Sequence, residues 1–133
     1  MNSTSIVTVF LTCNNKYLIL KRSSKVKTMK NLWAGISGII EGDEDPTYRA
    51  KREVFEEAGI SEDKITILKT AEPMSVESQY NDHEWKIHPY LFAVNDITIT
   101  LNWENSDYTW ISPSELSKYQ TVPSLEKVLA RLL

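Results

Sequence analysis

Residues 38–60, GIIEGDEDPTYRAKREVFEEAGI, constrain this chain more than any other stretch. Asp45 followed by Pro46 is a helix start: a side-chain acceptor for the first free N–H groups, then a residue whose fixed φ suits the first turn. Gly59 is a natural C-terminal stop, so the spacing predicts a helix of about three to four turns. At roughly 100° per residue, Glu53, Glu56 and Glu57 share one side of that helix, and Ala50, Val54 and Ala58 the neighbouring side. Such a helix has to lay its small apolar residues on a sheet and keep three carboxylates together. Like charges three and four residues apart repel, so positive charge is expected beside them. Arg49 and Arg52 could pair with an ordinary solvated acidic face. A bound cation is the other source, and hard oxygen ligands in this number suit Mg²⁺ or Mn²⁺.

The remaining elements are mostly strands. IVTVFLT and KYLILKR, joined by Asn14 and Asn15, read as a β-hairpin, because both runs favour strand and Asn tolerates the positive φ of a tight turn. A basic loop, KRSSKVKTMK, follows over residues 21–30. LWAGISGII reads as one or two short strands interrupted by Gly35 and Gly38, a place where backbone passes close to something else. After the acidic helix come ITILKTA as a strand, a polar stretch VESQYNDHE, and WKIHPYLFAV, ITITL and YTWI as three further strands. Pro89 restricts its strand to an edge or a bulge. A short helical turn around Glu115 and Leu116 precedes a closing amphipathic helix with Leu125, Val128, Leu129 and Leu132 on one face. Strands and helices in this order predict an α/β fold, a mixed sheet with helices on both faces, as a single domain over residues 1–133.

The spacing in residues 38–60 also matches, at every defined position, the signature of the Nudix (MutT-like) hydrolases. A glycine is followed after five residues by Glu, and after seven more by Arg-Glu-aliphatic-x-Glu-Glu-x-Gly-aliphatic: here Gly38, Glu44, Arg52, Glu53, Val54, Glu56, Glu57, Gly59 and Ile60. The chain therefore resembles that family. The resemblance implies an α/β/α sandwich with a mixed sheet. It also implies metal-dependent hydrolysis of a phosphoanhydride bond in a nucleoside diphosphate linked to another moiety, releasing a nucleoside monophosphate or pyrophosphate. It makes Glu53, Glu56 and Glu57 the metal-binding face and Gly38 a carbonyl ligand. Arg52 is expected to pair with and orient the carboxylates, and Glu44 to support them. Glu104, six residues before Trp110, occupies the place of a further metal ligand in several relatives. Glu53 is the first choice for general base or metal bridge and Glu57 the second, with Glu77, Asp82 and Glu84 as candidates from the loop after the motif. Arg22 resembles a phosphate-binding position, and Trp33 could stack on a base or fill the core. The aromatic-Pro-Gly-Gly run of many relatives is here Gly35-Ile36-Ser37-Gly38, a departure that leaves the path of that loop open and keeps the glycine of the motif.

Substrate candidates are nucleoside triphosphates, ADP-ribose-like sugars and dinucleoside polyphosphates. Pro73 and Tyr80 lie near positions that distinguish the latter two without matching either pattern. A non-hydrolytic nucleotide sensor on the same fold is the alternative, and the intact acidic set weighs against it. Isoprenoid diphosphate isomerase chemistry would want an added Cys and Glu site, and Cys13 alone supports it poorly. A net charge of −3 disfavours nucleic acid as a partner. No stretch approaches the roughly 20 apolar residues that span a bilayer, and the first ten residues lack the basic opening of a secretory signal. The expectation is a soluble cytoplasmic protein. Its only cysteine is a buried hydrophobe, His83 and His88 are structural, and a homodimer is left open.

Overall fold

The computed structural model describes residues 2–78, 82–95 and 98–133. A long first strand, β1 (Asn2–Cys13), turns back into β2 (Lys16–Arg22) through Asn14 and Asn15, whose φ values of 52° and 62° give the primed hairpin turn that two asparagines allow. Short strands β3 (Trp33–Ala34) and β4 (Ile36–Ile39) precede helix α1 (Pro46–Ala58). A 3₁₀ turn (Glu62–Lys64) leads into β5 (Thr66–Thr70), β6 (Met74–Glu77) and the second long strand, β7 (His83–Ala93). Strand β8 (Asn105–Ile111), a 3₁₀ segment (Pro113–Lys118) and helix α2 (Leu125–Leu132) complete the chain.

The frame is the parallel pairing of β1 with β7, in register from Asn2 opposite His83 to Thr12 opposite Ala93. The sheet runs β3-β2-β1-β7-β5, with β4 on β1, β6 on β7 and β8 on β2. It is mixed and covered on both faces, which is why residues 6–11 of β1 read as an unbroken apolar run apart from Thr8. Alternate residues part to opposite sides. Val7, Val9 and Leu11 join Leu20, Phe92 and the Ala50–Val54–Ala58 stripe of α1 in one core. Phe10, Ile19 and Leu91 join Leu125, Val128, Leu129 and Leu132 of α2 in the other. Cys13 is buried in the α1-side core. This is the α/β/α sandwich that the order of elements predicts.

Both ends of α1 are as expected. The Asp45 side chain accepts from the Thr47 N–H at 3.0 Å, Pro46 opens the helix, and Gly59 closes it at φ 72° with its N–H on the Phe55 carbonyl.

Three expectations need correction. ITITL is not a strand among its described residues, 98–101: Ile99 is buried against the α1-side core, and the Thr100 N–H donates to the Ala58 carbonyl at 3.0 Å. The segment seals the end of α1 instead of joining the sheet. Pro89 lies in β7, an interior strand and not an edge. It is tolerated because β6 pairs with residues 84–87 and β5 with residues 90–93, so Pro89 falls at the break between two partners. The polar stretch also hides β6 and the start of β7; Met74 and Val76 alternate with Ser75 and Glu77, a two-residue period masked by the acidic residues after it.

Gly59 meets two constraints at once, a left-handed backbone and a neighbour: a Cβ there would come within 2.8 Å of the Thr100 Cβ. Gly59→Ala is therefore expected to cost about 1–2 kcal/mol from backbone strain, with the contact adding to it. Urea unfolding should show a lower midpoint at unchanged slope, and an unchanged midpoint would remove both constraints.

Candidate active site

The acidic side of α1 divides in two. Val54 and its apolar neighbours bring Glu57 and Glu53 down against β4, leaving them 4% and 7% exposed, while Glu56 projects outward. The Glu53 carboxylate lies directly over Gly38, where a Cβ would collide with it. Gly38 is thus needed because the helix side chain comes down onto the strand backbone, and β4 holds that backbone by pairing Gly38 with Val7.

Each buried carboxylate has its own fixing groups. Glu53 accepts from Arg49 Nη1 at 3.1 Å, and the same guanidinium forks onto Glu44 through Nε at 2.7 Å and Nη2 at 2.8 Å. Glu44 also accepts from the Glu41 N–H, and these bonds hold its pKa below the usual value. Arg49 is itself 9% exposed and kept cationic by this pairing. Glu57 accepts instead from the Ser37 N–H of β4 and the Asn105 side chain of β8, each at 3.2 Å. Asn105 is buried too.

The electrostatics separate the pair further. Burial raises the Glu53 pKa and Glu56 adds to it, against the Arg49 hydrogen bond, which lowers it. Glu57 is pushed well above its ordinary range, first by burial and then by the negative charges of Glu104 and Glu53; the Asn105 hydrogen bond opposes this only in part. Glu104 is held beside it by its backbone carbonyl, which accepts from the Ser23 N–H at 2.8 Å, and by Asn102 Nδ2 on its carboxylate. The site therefore concentrates negative charge that Arg49 offsets on the Glu53 side alone.

That excess fits a hard divalent cation by donor chemistry: carboxylate oxygens from Glu53, Glu57 and Glu104, and strand backbone at Gly38 with no side chain in the way. Among the described residues, no three His, Cys, Asp or Glu side chains already converge tightly enough to hold an ion. Glu53 is turned onto Arg49 and Glu57 onto Asn105 and Ser37.

Of the residues expected from sequence, Gly38, Glu53 and Glu57 come together and Glu104 acts on Glu57 through its charge. Glu56 lies at the surface in an i,i+4 pair with Arg52 at 3.1 Å. Arg52 does not orient the buried carboxylates. Its remaining contact is the Tyr48 hydroxyl at 3.4 Å, and the orienting cation is Arg49, one turn earlier. Glu44 supports the network through Arg49. Arg22 donates through Nε and Nη2 to the Thr28 carbonyl, so its guanidinium organises the basic loop. Trp33 is partly buried and packs on the α2 side of the sheet, edge-on to Tyr119 with ring centroids 5.2 Å apart. Glu77 and Glu84 face each other across β6 and β7, Glu84 accepting from Ser75 Oγ, and neither enters the Glu53–Glu57 network. His83 bonds Thr4 and packs on Trp85; burial and Lys86 lower the His88 pKa. Tyr80 lies outside the described residues. Asn105 was missed, and Arg49 was named only as a partner for a solvated acidic face. Arg49 had a signal, four residues before Glu53 on the same side of the helix, whereas Asn105 had only its place next to Glu104.

Known proteins resemble this chain in sequence and in fold. The NUDIX domain profile matches residues 2–132. The human protein nucleoside diphosphate-linked moiety X motif 6 is 26% identical over 129 residues, covering 94% of this chain and 39% of its own length. Dihydroneopterin triphosphate diphosphatase of Haemophilus influenzae is 27% identical over 147 residues, covering 98% of this chain and 89% of its own. Among solved structures, a MutT protein from Methanosarcina mazei Go1 superposes with a TM-score of 0.77 at 22% identity, over 98% of this chain and 92% of that one. A C. elegans Ap4A hydrolase in a binary complex gives 0.70 at 19%, over 98% and 94%. These last two share the fold. With the domain match running nearly end to end and the motif glutamates folded onto Gly38 as described, the chain belongs to the Nudix family of hydrolases.

Proposed function

We propose that this chain is a pyrophosphohydrolase that uses Mg²⁺ or Mn²⁺ to split the phosphoanhydride bond of a nucleoside diphosphate linked to a further group. The observation that carries the reading is the pair of buried glutamates one helical turn apart, one fixed by Arg49 and the other surrounded by negative charge. A bound divalent ion supplies screening of the phosphate oxygens and acidifies a water. The chain's own groups do the rest. Glu53 and Glu57, with Glu104 and the Gly38 carbonyl, would hold the ion; Arg49 aims Glu53 and favours its ionised form against burial. Glu53 is the base that takes the water's proton, an effect typically worth ~10²- to 10⁴-fold. Arg22, through the N–H groups not committed to Thr28, and the lysines of its loop offer positive charge to substrate phosphates. The two named relatives, one acting on dihydroneopterin triphosphate and one on Ap4A, support triphosphates and dinucleoside polyphosphates as first substrates to assay, with ADP-ribose beside them.

A panel of these compounds, incubated with Mg²⁺, Mn²⁺ or chelator, should show metal-dependent release of a nucleoside monophosphate or pyrophosphate from at least one. Silence across the panel with nucleotide still bound would turn the reading to a sensor.

Glu57→Gln should abolish most turnover yet make the metal-free protein more heat-stable at neutral pH. The sign follows from the raised pKa: the native state holds the Glu57 proton more tightly than the unfolded chain, so stability falls as pH rises above the ordinary value of 4.5. Gln removes that loss. Divalent ions should raise the melting temperature of the wild type and much less that of the variant; an equal rise in both would take Glu57 out of the cation site.

Arg49→Ala should weaken the apparent metal affinity or turnover by about 10- to 100-fold, as loss of a group that orients a ligand does. Arg52→Ala should stay within a few-fold of wild type. Metal titrations of activity for both variants decide between them, and the reverse ranking would restore Arg52 to the orienting role.

A further inference from the structure

Trp103 is 61% exposed, on a turn over residues 102–105 that is bonded from both sides. The Asn105 N–H closes the turn on the Asn102 carbonyl at 3.4 Å, and the Asn102 side chain accepts from the Glu104 N–H and donates to the Glu104 carboxylate. Ser23, itself buried, donates through Oγ to the Trp103 carbonyl and through N–H to the Glu104 carbonyl, each at 2.8 Å. The indole is thus presented to solvent from a fixed backbone. The next two residues belong to the candidate active site, Glu104 through its charge on Glu57 and Asn105 through its hydrogen bond to the same carboxylate. The basic loop meets this turn as well. Arg22 pairs with Asn105 across β2 and β8, and the Lys25 N–H donates to Ser23 Oγ at 3.2 Å. The other exposed aromatics among the described residues, Tyr48 and Phe55, lie on α1, Phe55 on the side opposite Glu53.

We infer that Trp103 is the platform on which the flat heterocycle of the substrate stacks, while the phosphates lie between the basic loop and the centre formed by Glu53, Glu57 and Glu104. The inference rests on the reading of that centre as a nucleotide site and adds what recognises the nucleoside. An indole suits the task, with a large π face and only two side-chain torsions to fix. Its backbone is already held, so little more has to be ordered when a ligand arrives. Stacking reads planarity and not a pattern of donors and acceptors. The platform therefore accepts purines and pyrimidines alike, and it separates a nucleotide from the same sugar phosphate without a base.

Nucleoside 5′-monophosphates and ribose 5-phosphate contain no phosphoanhydride, so their binding can be measured whether or not the chain hydrolyses anything. Dissociation constants for AMP, GMP, CMP, UMP and ribose 5-phosphate, with Mg²⁺ present, are compared for wild type, Trp103→Ala, Trp103→Phe and Phe55→Ala. Circular dichroism confirms that each is folded; the Ser23 bond at Trp103 is to backbone and does not depend on the side chain. The wild type should bind at least one nucleotide more tightly than ribose 5-phosphate, with a change in tryptophan emission. Trp103→Ala should weaken that nucleotide roughly ten- to a hundred-fold, remove the emission change and leave ribose 5-phosphate as it was. Trp103→Phe should stay within a few-fold of wild type, and Phe55→Ala should match it. A wild type that binds no nucleotide better than ribose 5-phosphate, nucleotide affinity indifferent to Trp103→Ala, or an equal loss for ribose 5-phosphate would each overturn the inference. Binding that depends on Trp103 beside a silent hydrolysis panel would keep the platform and sink the hydrolase reading; hydrolysis with binding indifferent to Trp103 would do the reverse.

Discussion

Two carboxylates buried one helical turn apart are the constraint around which the rest of this structure is arranged. Desolvation opposes charge on both, and Glu53 adds to the cost of ionising Glu57. A protein that keeps such a pair must supply fixed hydrogen bonds and a cation. Here the donors come from three elements: the guanidinium of Arg49 within α1, the Ser37 N–H of β4 and the Asn105 amide of β8. Strand β1 and its hairpin partner β2 link those elements, since β4 pairs with β1 and β8 with β2.

Arg49 has a second consequence. By forking onto Glu44 it ties the loop that precedes α1 to the helix, so the approach to the site and the site itself share one ion-pair network. Because the network is largely out of water, its worth depends on completeness; removing one member strands the others. The surface pair of Arg52 and Glu56 has the same i,i+4 spacing and contributes little, which shows how burial and not spacing assigns the roles.

Elements with local signals were legible in the sequence. The Asn14–Asn15 turn, the Asp45-Pro46 start, the Gly59 stop and the apolar face of α2 each follow from residues adjacent in the chain. The Nudix motif was legible as a pattern, and the pattern alone could not tell Arg49 from Arg52. The helical wheel could have: Arg49, four residues before Glu53, shares its side of the helix, whereas Arg52 is adjacent to Glu53 in sequence but lies over Glu56, on the far side from Ala50, Val54 and Ala58. What remained hidden depends on distant partners. Residues 98–101 look like a strand until the end of α1 claims the Thr100 N–H, and Asn105 has no meaning before β8 is paired with β2 and brings its amide to Glu57. The Trp33 alternatives could not be separated without knowing which face of the sheet it occupies.

The break at Pro89 divides β7 into two stretches that answer to different neighbours. Residues 90–93 are locked between β1 and β5, with Tyr90, Leu91 and Phe92 buried in the core, while residues 84–87 hold β6 by four pairs on a partly exposed margin. Strand β6 can therefore separate from its half of β7 without loosening β5 or the β1–β7 seam. Pro89 marks a boundary of cooperativity, with a region of low opening free energy on one side and the global fold on the other.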